Sequence, residues 1–267
     1  MCWRAACSRE GRTPRLHRHE CDSPLASLAP LASLGAGVRL QRAGSHRAAA
    51  VLIFDVDGTL AETESVHRCA FNAAFREAGI AWYWNHRTYK KLLQVTGGKE
   101  RIRAFARSHP PRLILSDDSI AELHRRKTAH YTRMIAQHAC RLRAGVEPFI
   151  RNALARSQTL AIATTTTFDN VDALLRAALA PDWRNHFAAV VAGDDVARKK
   201  PAPDAYIEVL ARLQRPAADC LAIEDSANGL KSAAAAGIPV LITRSEYFRD
   251  DDFSQALLVV DELADLL

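Results

Sequence analysis

The fold of this 267-residue chain is decided by the stretch Val51-Leu52-Ile53-Phe54-Asp55-Val56-Asp57-Gly58-Thr59. Four consecutive apolar residues that end in an aspartate are typical of a strand buried on both faces of a parallel sheet. Two carboxylates at the end of such a strand concentrate negative charge, which a cation or a proton must compensate. Gly58 allows the backbone to turn after the second aspartate. Alone, these residues would equally fit a solvated Asp-Gly turn in a hairpin.

Similar apolar runs recur along the chain and predict further strands. They lie at residues 160–163, 189–192, 221–223, 240–242 and 257–260, and helical patterns at 170–179, 204–213 and 226–236 lie between them. Strands that alternate with helices of this length indicate an α/β fold with a doubly wound parallel sheet.

The interval between the first two predicted strands departs from this alternation. It shows helical periodicity, and Ser119 with Glu122 predicts a capping box near the start of a long helix. An insert of this length is too long for a loop, so we expect a helical cap domain over residues 64–143. The catalytic core then comprises residues 49–63 and 144–267, with the cap over the carboxyl ends of the strands, where such sheets bind ligands.

Residues 1–48 differ in composition from the remainder of the chain. They carry eight arginines, three acidic residues and no lysine, and we expect a disordered Arg-rich extension. This segment supplies most of the formal charge of +6, so the folded part is near neutral and no nucleic-acid partner is expected. The segment is either a transit peptide or the product of a start codon assigned too early.

Three further features of the sequence bear on partners and location. No stretch reaches the roughly eighteen uninterrupted apolar residues of a membrane helix, so no membrane partner is expected. The six cysteines form neither a C-x-x-C pair nor the framework of a short secreted domain, which favours a cytoplasmic location. A plastid location would follow if residues 1–48 are a transit peptide. We expect a monomer.

Further polar residues lie near the carboxyl ends of the predicted strands, as Asp55 does. Thr164 ends the second apolar run, Lys200 stands just before a helix, and Glu224 with Asp225 ends another run. Singly, each suits an ordinary cap, turn or surface loop. Because the carboxyl ends of parallel strands meet at one edge of a sheet, together they predict a site with hydroxyl, ammonium and carboxylate groups.

These four segments resemble the four ordered motifs of the haloacid dehalogenase superfamily, and the resemblance spans nearly the whole chain from residue 51. It implies a Rossmann-like core with an inserted cap. Asp55 would be the nucleophile that forms a phosphoaspartate, and Asp57 would be the acid and base for the leaving group and for water. Thr164 and Lys200 would hold the phosphoryl oxygens.

The same resemblance implies a Mg²⁺ cofactor. The Asp55 carboxylate, the Asp57 carbonyl and Asp225 would bind it, with Glu224 assisting. Oxygen ligands and a transferring phosphate suit this hard cation.

The predicted cap resembles that of the CbbY-type phosphatases, which hydrolyse xylulose 1,5-bisphosphate, an inhibitor of the carbon-fixing enzyme rubisco. The similarity rests on Glu62-Thr63-Glu64-Ser65-Val66-His67, Trp82-Tyr83-Trp84, Val95-Thr96-Gly97-Gly98-Lys99-Glu100-Arg101-Ile102 and Thr164-Thr165-Thr166-Thr167. It implies a small phosphorylated sugar as partner. The implied substrate contacts are Glu64, His67, Tyr89, Thr96, Gly97, Gly98, Lys99, Thr165 and Thr166.

Each cap residue also has an ordinary structural interpretation. The glycine pair and Lys99 could grip a second, non-reacting phosphate, or they could form a plain helix-start loop. Glu64 and His67 share a helix face and could meet the substrate or form a surface ion pair. Tyr89 suits a half-buried core position equally well. Arg101 and Arg103 could also contribute to binding the second phosphate, but they fit solvated helix faces equally well.

Two other enzymatic functions fit the same motifs, and a non-catalytic function fits them less well. A β-phosphoglucomutase-like enzyme would return the phosphoryl group to a sugar rather than to water. A phosphoglycolate phosphatase would have less use for an anion grip in the cap. A non-catalytic binding protein of this fold would be expected to lack the nucleophile or the metal carboxylates, yet Asp55, Asp57, Lys200 and Asp225 are all present.

Overall fold

A computed structural model of the chain describes residues 39–42, 45–109, 114–137 and 140–267. The described part begins with an antiparallel hairpin of β1 (Arg39–Arg42) and β2 (Ser45–Ala48). The sequence predicted no strands here, and the disordered extension over residues 1–48 stays a prediction. The rest of that segment lies outside the described residues.

The main sheet has six strands in the order β5-β4-β3-β6-β7-β8, and every neighbouring pair is parallel. The strands are β3 (Val51–Phe54), β4 (Thr159–Ala163), β5 (Ala189–Val191), β6 (Cys220–Glu224), β7 (Val240–Thr243) and β8 (Leu258–Val260). Each lies where the sequence predicted a strand, with ends that differ by one residue at most. The predicted parallel sheet is confirmed.

Eight α-helices belong to the described residues. They are α1 (Glu64–Glu77), α2 (His86–Leu92), α3 (Gly98–Ser108), α4 (Asp117–Ala136), α5 (Val146–Ala155), α6 (Phe168–Ala178), α7 (Asp204–Leu213) and α8 (Ala227–Ala235).

The central strand β3 is buried on both faces, which explains its continuous apolar run. Because side chains alternate across a strand, Leu52 and Phe54 join one hydrophobic cluster while Val51 and Ile53 join another. The first cluster includes residues of α5 and α6, and the second includes residues of α7 and α8. Helices therefore cover both faces of the sheet, as expected for a doubly wound fold.

A third hydrophobic cluster lies between β3 and β4 in the chain. Its buried members come from residues 71–123, with Tyr247 as the one contribution from another segment. Aromatic rings dominate it, including Trp84, which is fully buried. This separate core supports the proposal that residues 64–143 form a cap, although its boundaries remain a prediction.

The N-cap of the longest described helix, α4, lies three residues before the predicted capping box. Ser116 is the N-cap, and its hydroxyl accepts a hydrogen bond of 3.2 Å from the backbone N–H of Ser119. Glu122 pairs with Arg125 and Arg126 instead of with a cap. The prediction was wrong because two serines three residues apart can each cap a helix, and Ser116 is followed by two aspartates that favour a helix start.

Among the described residues, no helix is both long enough and apolar enough to cross a membrane.

Candidate active site

The turn after β3 places two aspartates at the carboxyl edge of the sheet. The backbone N–H of Asp55 donates to the carbonyl of Ile223, the last apolar residue of β6, at 3.0 Å. The turn closes where the N–H of Gly58 donates to Ala61 at 2.8 Å. Gly58 has a φ of 84°, and a Cβ at this position would collide with Asp225. Only glycine fits both the conformation and the close approach.

Lys200 joins the nucleophile candidate to the acidic loop after β6. Its Nζ donates to Asp55 Oδ1 at 2.7 Å, to Glu224 Oε1 at 2.5 Å and to the Ala163 carbonyl at 2.8 Å. All three N–H donors of the ammonium are therefore used. Burial alone would lower the pKa of Lys200, but the two carboxylates raise it above its ordinary value.

Asp55, Glu224 and Asp225 form a buried carboxylate cluster in which one oxygen from each lies within 4.8 Å of the others. Burial, with Glu224 and Asp57 nearby, raises the pKa of Asp55 to about 8 even though Lys200 opposes the shift. Burial, with Asp55 and Glu224 nearby, likewise raises the pKa of Asp225. One ammonium does not balance three carboxylates, so the cluster requires a further cation or proton.

This donor set fits a hard divalent cation. The ligands are carboxylate oxygens, which Mg²⁺ and Ca²⁺ prefer. The Oδ2 atom of Asp225 is buried and has no hydrogen-bond partner. A buried carboxylate oxygen without a partner is costly, and a bound cation would satisfy it.

Asp57 is held by Thr63 and by His67 of α1 rather than by Lys200. Thr63 Oγ1 donates to Asp57 Oδ1 at 2.6 Å, and His67 Nε2 lies 2.9 Å from the same oxygen. Lys127 Nζ lies 2.7 Å from the other ring nitrogen of His67. With Lys127 as an ammonium, which can only donate, the network places the imidazole proton on Nε2. Burial alone would raise the pKa of Asp57, but His67 and Thr63 together hold it below its ordinary range.

Lys127 and His124 line the cavity and were missed by the sequence analysis. Both belong to α4, both are buried, and His124 has its pKa lowered to about 3, chiefly by burial and by Lys127. The sequence could have revealed them, because helical periodicity places them on the same helix face as Ile120, Leu123 and Tyr131. A lysine and a histidine at core positions of an amphipathic helix indicate a functional site.

Glu64 is positioned by Tyr89. The Tyr89 hydroxyl donates to Glu64 Oε2 at 2.8 Å and accepts from Arg101 Nη1 at 3.0 Å. Glu64 and Arg101 line the cavity, whereas Tyr89 is fully buried and lies behind them. Of its two interpretations, the structure places Tyr89 in the core position. Glu64 and His67 are both buried and therefore do not form a surface pair.

The glycine pair lines the cavity at the N-terminus of α3, together with Thr96. Thr96 Oγ1 accepts a hydrogen bond of 3.1 Å from Asn228 of α8, so the loop before α3 contacts α8 here. Lys99 does not line the cavity. Its Nζ donates to Asp194 Oδ1 at 3.0 Å, and its side chain is 42% exposed. Arg103 likewise points elsewhere, to Asp117 at 2.6 Å.

Threonines after β4 form the opposite wall. Thr164, Thr165 and Thr166 all line the cavity. The Thr166 N–H lies 3.3 Å from Thr164 Oγ1, and the Thr166 carbonyl accepts from the Gly193 N–H at 2.6 Å. A Cβ at Gly193 would collide with the Thr165 carbonyl.

One cavity thus brings together most of the predicted site residues: Asp55, Asp57, Glu64, His67, Thr96, Gly97, Gly98, Thr164, Thr165, Thr166, Lys200 and Asp225. Glu224 lies beneath them, fully buried, and Tyr89 and Lys99 lie outside the lining.

The chain matches known proteins over most of its length. The model of the haloacid dehalogenase-like hydrolase family matches residues 49–237. Protein CbbY of Rhodobacter capsulatus is 52% identical over 208 residues, which cover 77% of this chain and 89% of that protein. Protein CbbY, plasmid, of Cupriavidus necator is 49% identical over 217 residues, which cover 80% of this chain and 85% of that protein.

A solved structure extends the similarity to the fold. The crystal structure of a mutant CbbY from Rhodobacter sphaeroides in complex with xylulose-(1,5)bisphosphate superimposes with a TM-score of 0.77 at 40% identity. The match covers 81% of this chain and 95% of that one. The chain therefore belongs to the haloacid dehalogenase-like hydrolases and is a phosphatase of the CbbY type.

Proposed function

We propose that this phosphatase is Mg²⁺-dependent and hydrolyses a sugar bisphosphate, foremost xylulose 1,5-bisphosphate, through a phosphoaspartate on Asp55. The proposal rests on one observation: the two aspartates line the same cavity, but different hydrogen-bond partners hold them. Lys200 holds Asp55, and His67 with Thr63 holds Asp57. The complex of the Rhodobacter sphaeroides relative with xylulose-(1,5)bisphosphate supports the substrate class.

These different partners suit different chemical roles for Asp55 and Asp57. An Asp55 oxygen attacks phosphorus while the bond from phosphorus to the sugar oxygen breaks, and a proton on Asp57 passes to that oxygen. Water then attacks the phosphoaspartate, Asp57 accepts its proton, and phosphate leaves. The hydrogen bonds from His67 and Thr63 favour the carboxylate form of Asp57, which is the form needed in the second step.

The metal proposal rests on the buried carboxylate cluster. Asp55, Asp225 and the Asp57 carbonyl would hold Mg²⁺, with Glu224 assisting. Such an ion supplies neutralisation of charge on the transferring phosphoryl group. Lys200 and Thr164 line the same wall and would hold the phosphoryl oxygens.

The cap would bind the non-reacting end of the substrate. Arg101 and Lys127 line the cavity beside Gly97 and Gly98, whose helix N-terminus favours an anion. A second phosphate would find positive charge on this side. Glu64 and His67, with Thr165 and Thr166 opposite, would contact the sugar hydroxyls.

A phosphate-release screen tests the proposal. The substrates are xylulose 1,5-bisphosphate, fructose 1,6-bisphosphate, glucose phosphates and phosphoglycolate, each with Mg²⁺ and with EDTA. We expect the highest kcat/KM for xylulose 1,5-bisphosphate and no turnover with EDTA. Uniformly low rates would contradict the substrate assignment. An isomerised sugar phosphate with little free phosphate would show a mutase instead.

A further inference from the structure

Arg143 is a buried cation where the chain returns from the proposed cap to the core. Only 7% of the surface of Arg143 is exposed to solvent. Its backbone N–H donates to the Leu60 carbonyl at 2.9 Å, and the neighbouring Leu142 forms a bridge with Ala61. The two chain segments that connect core and cap are therefore paired at this residue.

The Arg143 side chain ties together the loops at the carboxyl edge of the sheet. Nη1 donates to the Gly58 carbonyl and lies 3.3 Å from both the carbonyl and the hydroxyl of Thr243 at the end of β7. Nη2 donates to the carbonyls of Arg244 and Asp261 at 2.8 and 2.7 Å. The guanidinium thus spans the loops after β3, β7 and β8.

The same side chain also has a carboxylate partner. Its Nε lies 3.1 Å from Glu262 Oε2 and 3.7 Å from Glu62 Oε1. A guanidinium stays charged in proteins, and burying one is costly unless its donors are satisfied in good geometry. Here each guanidinium nitrogen has at least one acceptor, so the arrangement holds three loops in one relative position.

The contact with Gly58 bears on the site. Gly58 directly follows Asp57, packs against Asp225, and is fixed on one side by its hydrogen bond to Ala61. Arg143 fixes it on the other side through its carbonyl. The Gly58 carbonyl belongs to the Gly58–Thr59 peptide, which Arg143 therefore orients, while the hydrogen bond of the Gly58 N–H to Ala61 holds the Asp57–Gly58 peptide. Arg143 thus acts on Asp57 through the backbone of Gly58.

We propose that Arg143 is a positioning residue for the phosphatase reaction, which holds the turn that follows Asp57 through its hydrogen bond to the Gly58 carbonyl. Arg143 does not line the cavity, so it acts through the turn and not on the substrate. The inference rests on the proposed role of Asp57 and of its carbonyl.

Three variants of the full chain test this role: Arg143→Met, Arg143→Lys and, as a control, Trp183→Phe. Trp183 is fully buried in the first core cluster, outside the cavity lining, and its loss of packing lowers stability without touching the turn. We expect kcat of Arg143→Met to fall by about 100-fold, since a misplacement of about 1 Å can cost that much, with KM unchanged. Arg143→Lys should retain part of the rate, and guanidinium ion at millimolar concentration should restore part of the rate of Arg143→Met.

A second readout does not depend on turnover. Mg²⁺ raises the Tm of a protein that binds it in the native state, and the rise should be smaller for Arg143→Met than for Trp183→Phe. Wild-type kcat per folded molecule in Arg143→Met, or losses equal to those of Trp183→Phe at matched Tm, would overturn the inference. If Arg143→Met does not fold, the same comparison with Arg143→Lys decides. A wild-type protein without sugar bisphosphatase activity would contradict the proposed function, and the Mg²⁺ shift would still test Arg143.

Discussion

The site has two parts that are built in different ways. We call the part formed by strand ends the core half and the part formed by α1 and the helices packed against it the cap half. In the core half, Asp55, Thr164 and Glu224 lie at strand ends, and sheet register brings them together. In the cap half, Glu64 and His67 of α1 meet partners from α2 and α4. The core half therefore depends on backbone pairing, whereas the cap half depends on how helices pack against one another.

The two halves also differ in charge. The core half carries three buried carboxylates and one ammonium, which favours a bound cation. The cap half presents Arg101 and Lys127 to the cavity, which favours an anion. This difference suits a substrate whose reacting phosphate meets the metal and whose second phosphate meets the cap.

The largest effect should follow from Lys200→Met in the core half. The change leaves Asp55 and Glu224 buried without their cation, which costs about 3–5 kcal/mol of unfolding free energy. Urea unfolding measures the loss, and phosphate release should be undetectable. Lys231→Met, at an exposed lysine of α8, is the control and should stay within about 0.5 kcal/mol of wild type. Equal stabilities would show that Lys200 is not the counter-charge of the core half.

Lys127→Met should change how stability depends on pH. Burial, with Arg101 nearby, lowers the pKa of Lys127 from 10.5 to about 7 although Asp57 and Glu64 oppose the shift. Between these values the unfolded chain binds the proton and the folded protein does not, so wild-type stability rises with pH relative to Lys127→Met, by at most about 1.4 kcal/mol per pH unit. Unfolding curves from pH 7 to pH 9 measure it. A constant difference would contradict the buried position of Lys127.

A smaller effect is expected for Tyr89→Phe in the cap half. The hydroxyl that bridges Glu64 and Arg101 is lost, so Glu64 is less well positioned for the substrate. We expect KM to rise about fivefold, or about 1 kcal/mol, with kcat little changed. Tyr83→Phe, at a tyrosine that is 63% exposed, is the matched control. Identical KM values in the two variants would show that Tyr89 does not position Glu64 for the substrate.

The smallest effect should come from Lys99→Ala. The pair between Lys99 and Asp194 is exposed, and such pairs contribute about 0–1 kcal/mol. We expect changes in stability and in KM for the bisphosphate no larger than those of Lys90→Ala, which breaks the comparable pair with Asp250. A large rise in KM with Lys99→Ala alone would show that Lys99 leaves Asp194 to grip the second phosphate.

The difference between strand pairing in the core half and helix packing in the cap half explains what the sequence could predict. The convergence of Asp55, Thr164 and the acidic pair could be predicted because a polar residue after a buried strand has one place to lie, the carboxyl edge of the sheet. Lys200 reaches the same edge from the loop before α7. The α7 boundaries, Asp204–Leu213, were also predicted correctly.

The contacts of the cap half could not be predicted in this way. His67 and Lys127 are 60 residues apart and meet because α1 packs against α4, and helical periodicity gives the buried face without the partner. Lys99 was expected at the anion grip, but the helix turns it to the rim, where Asp194 is available. The position of Ser116 as N-cap likewise depended on a choice between two equivalent serines.

The most direct test of the account is phosphate release from xylulose 1,5-bisphosphate by Asp55→Asn, measured with Mg²⁺ beside wild type. Asparagine keeps the size of the side chain but cannot form the phosphoaspartate. The account predicts no turnover above the buffer control, with substrate still bound by calorimetry. Turnover by Asp55→Asn at a rate near that of wild type would contradict Asp55 as the nucleophile.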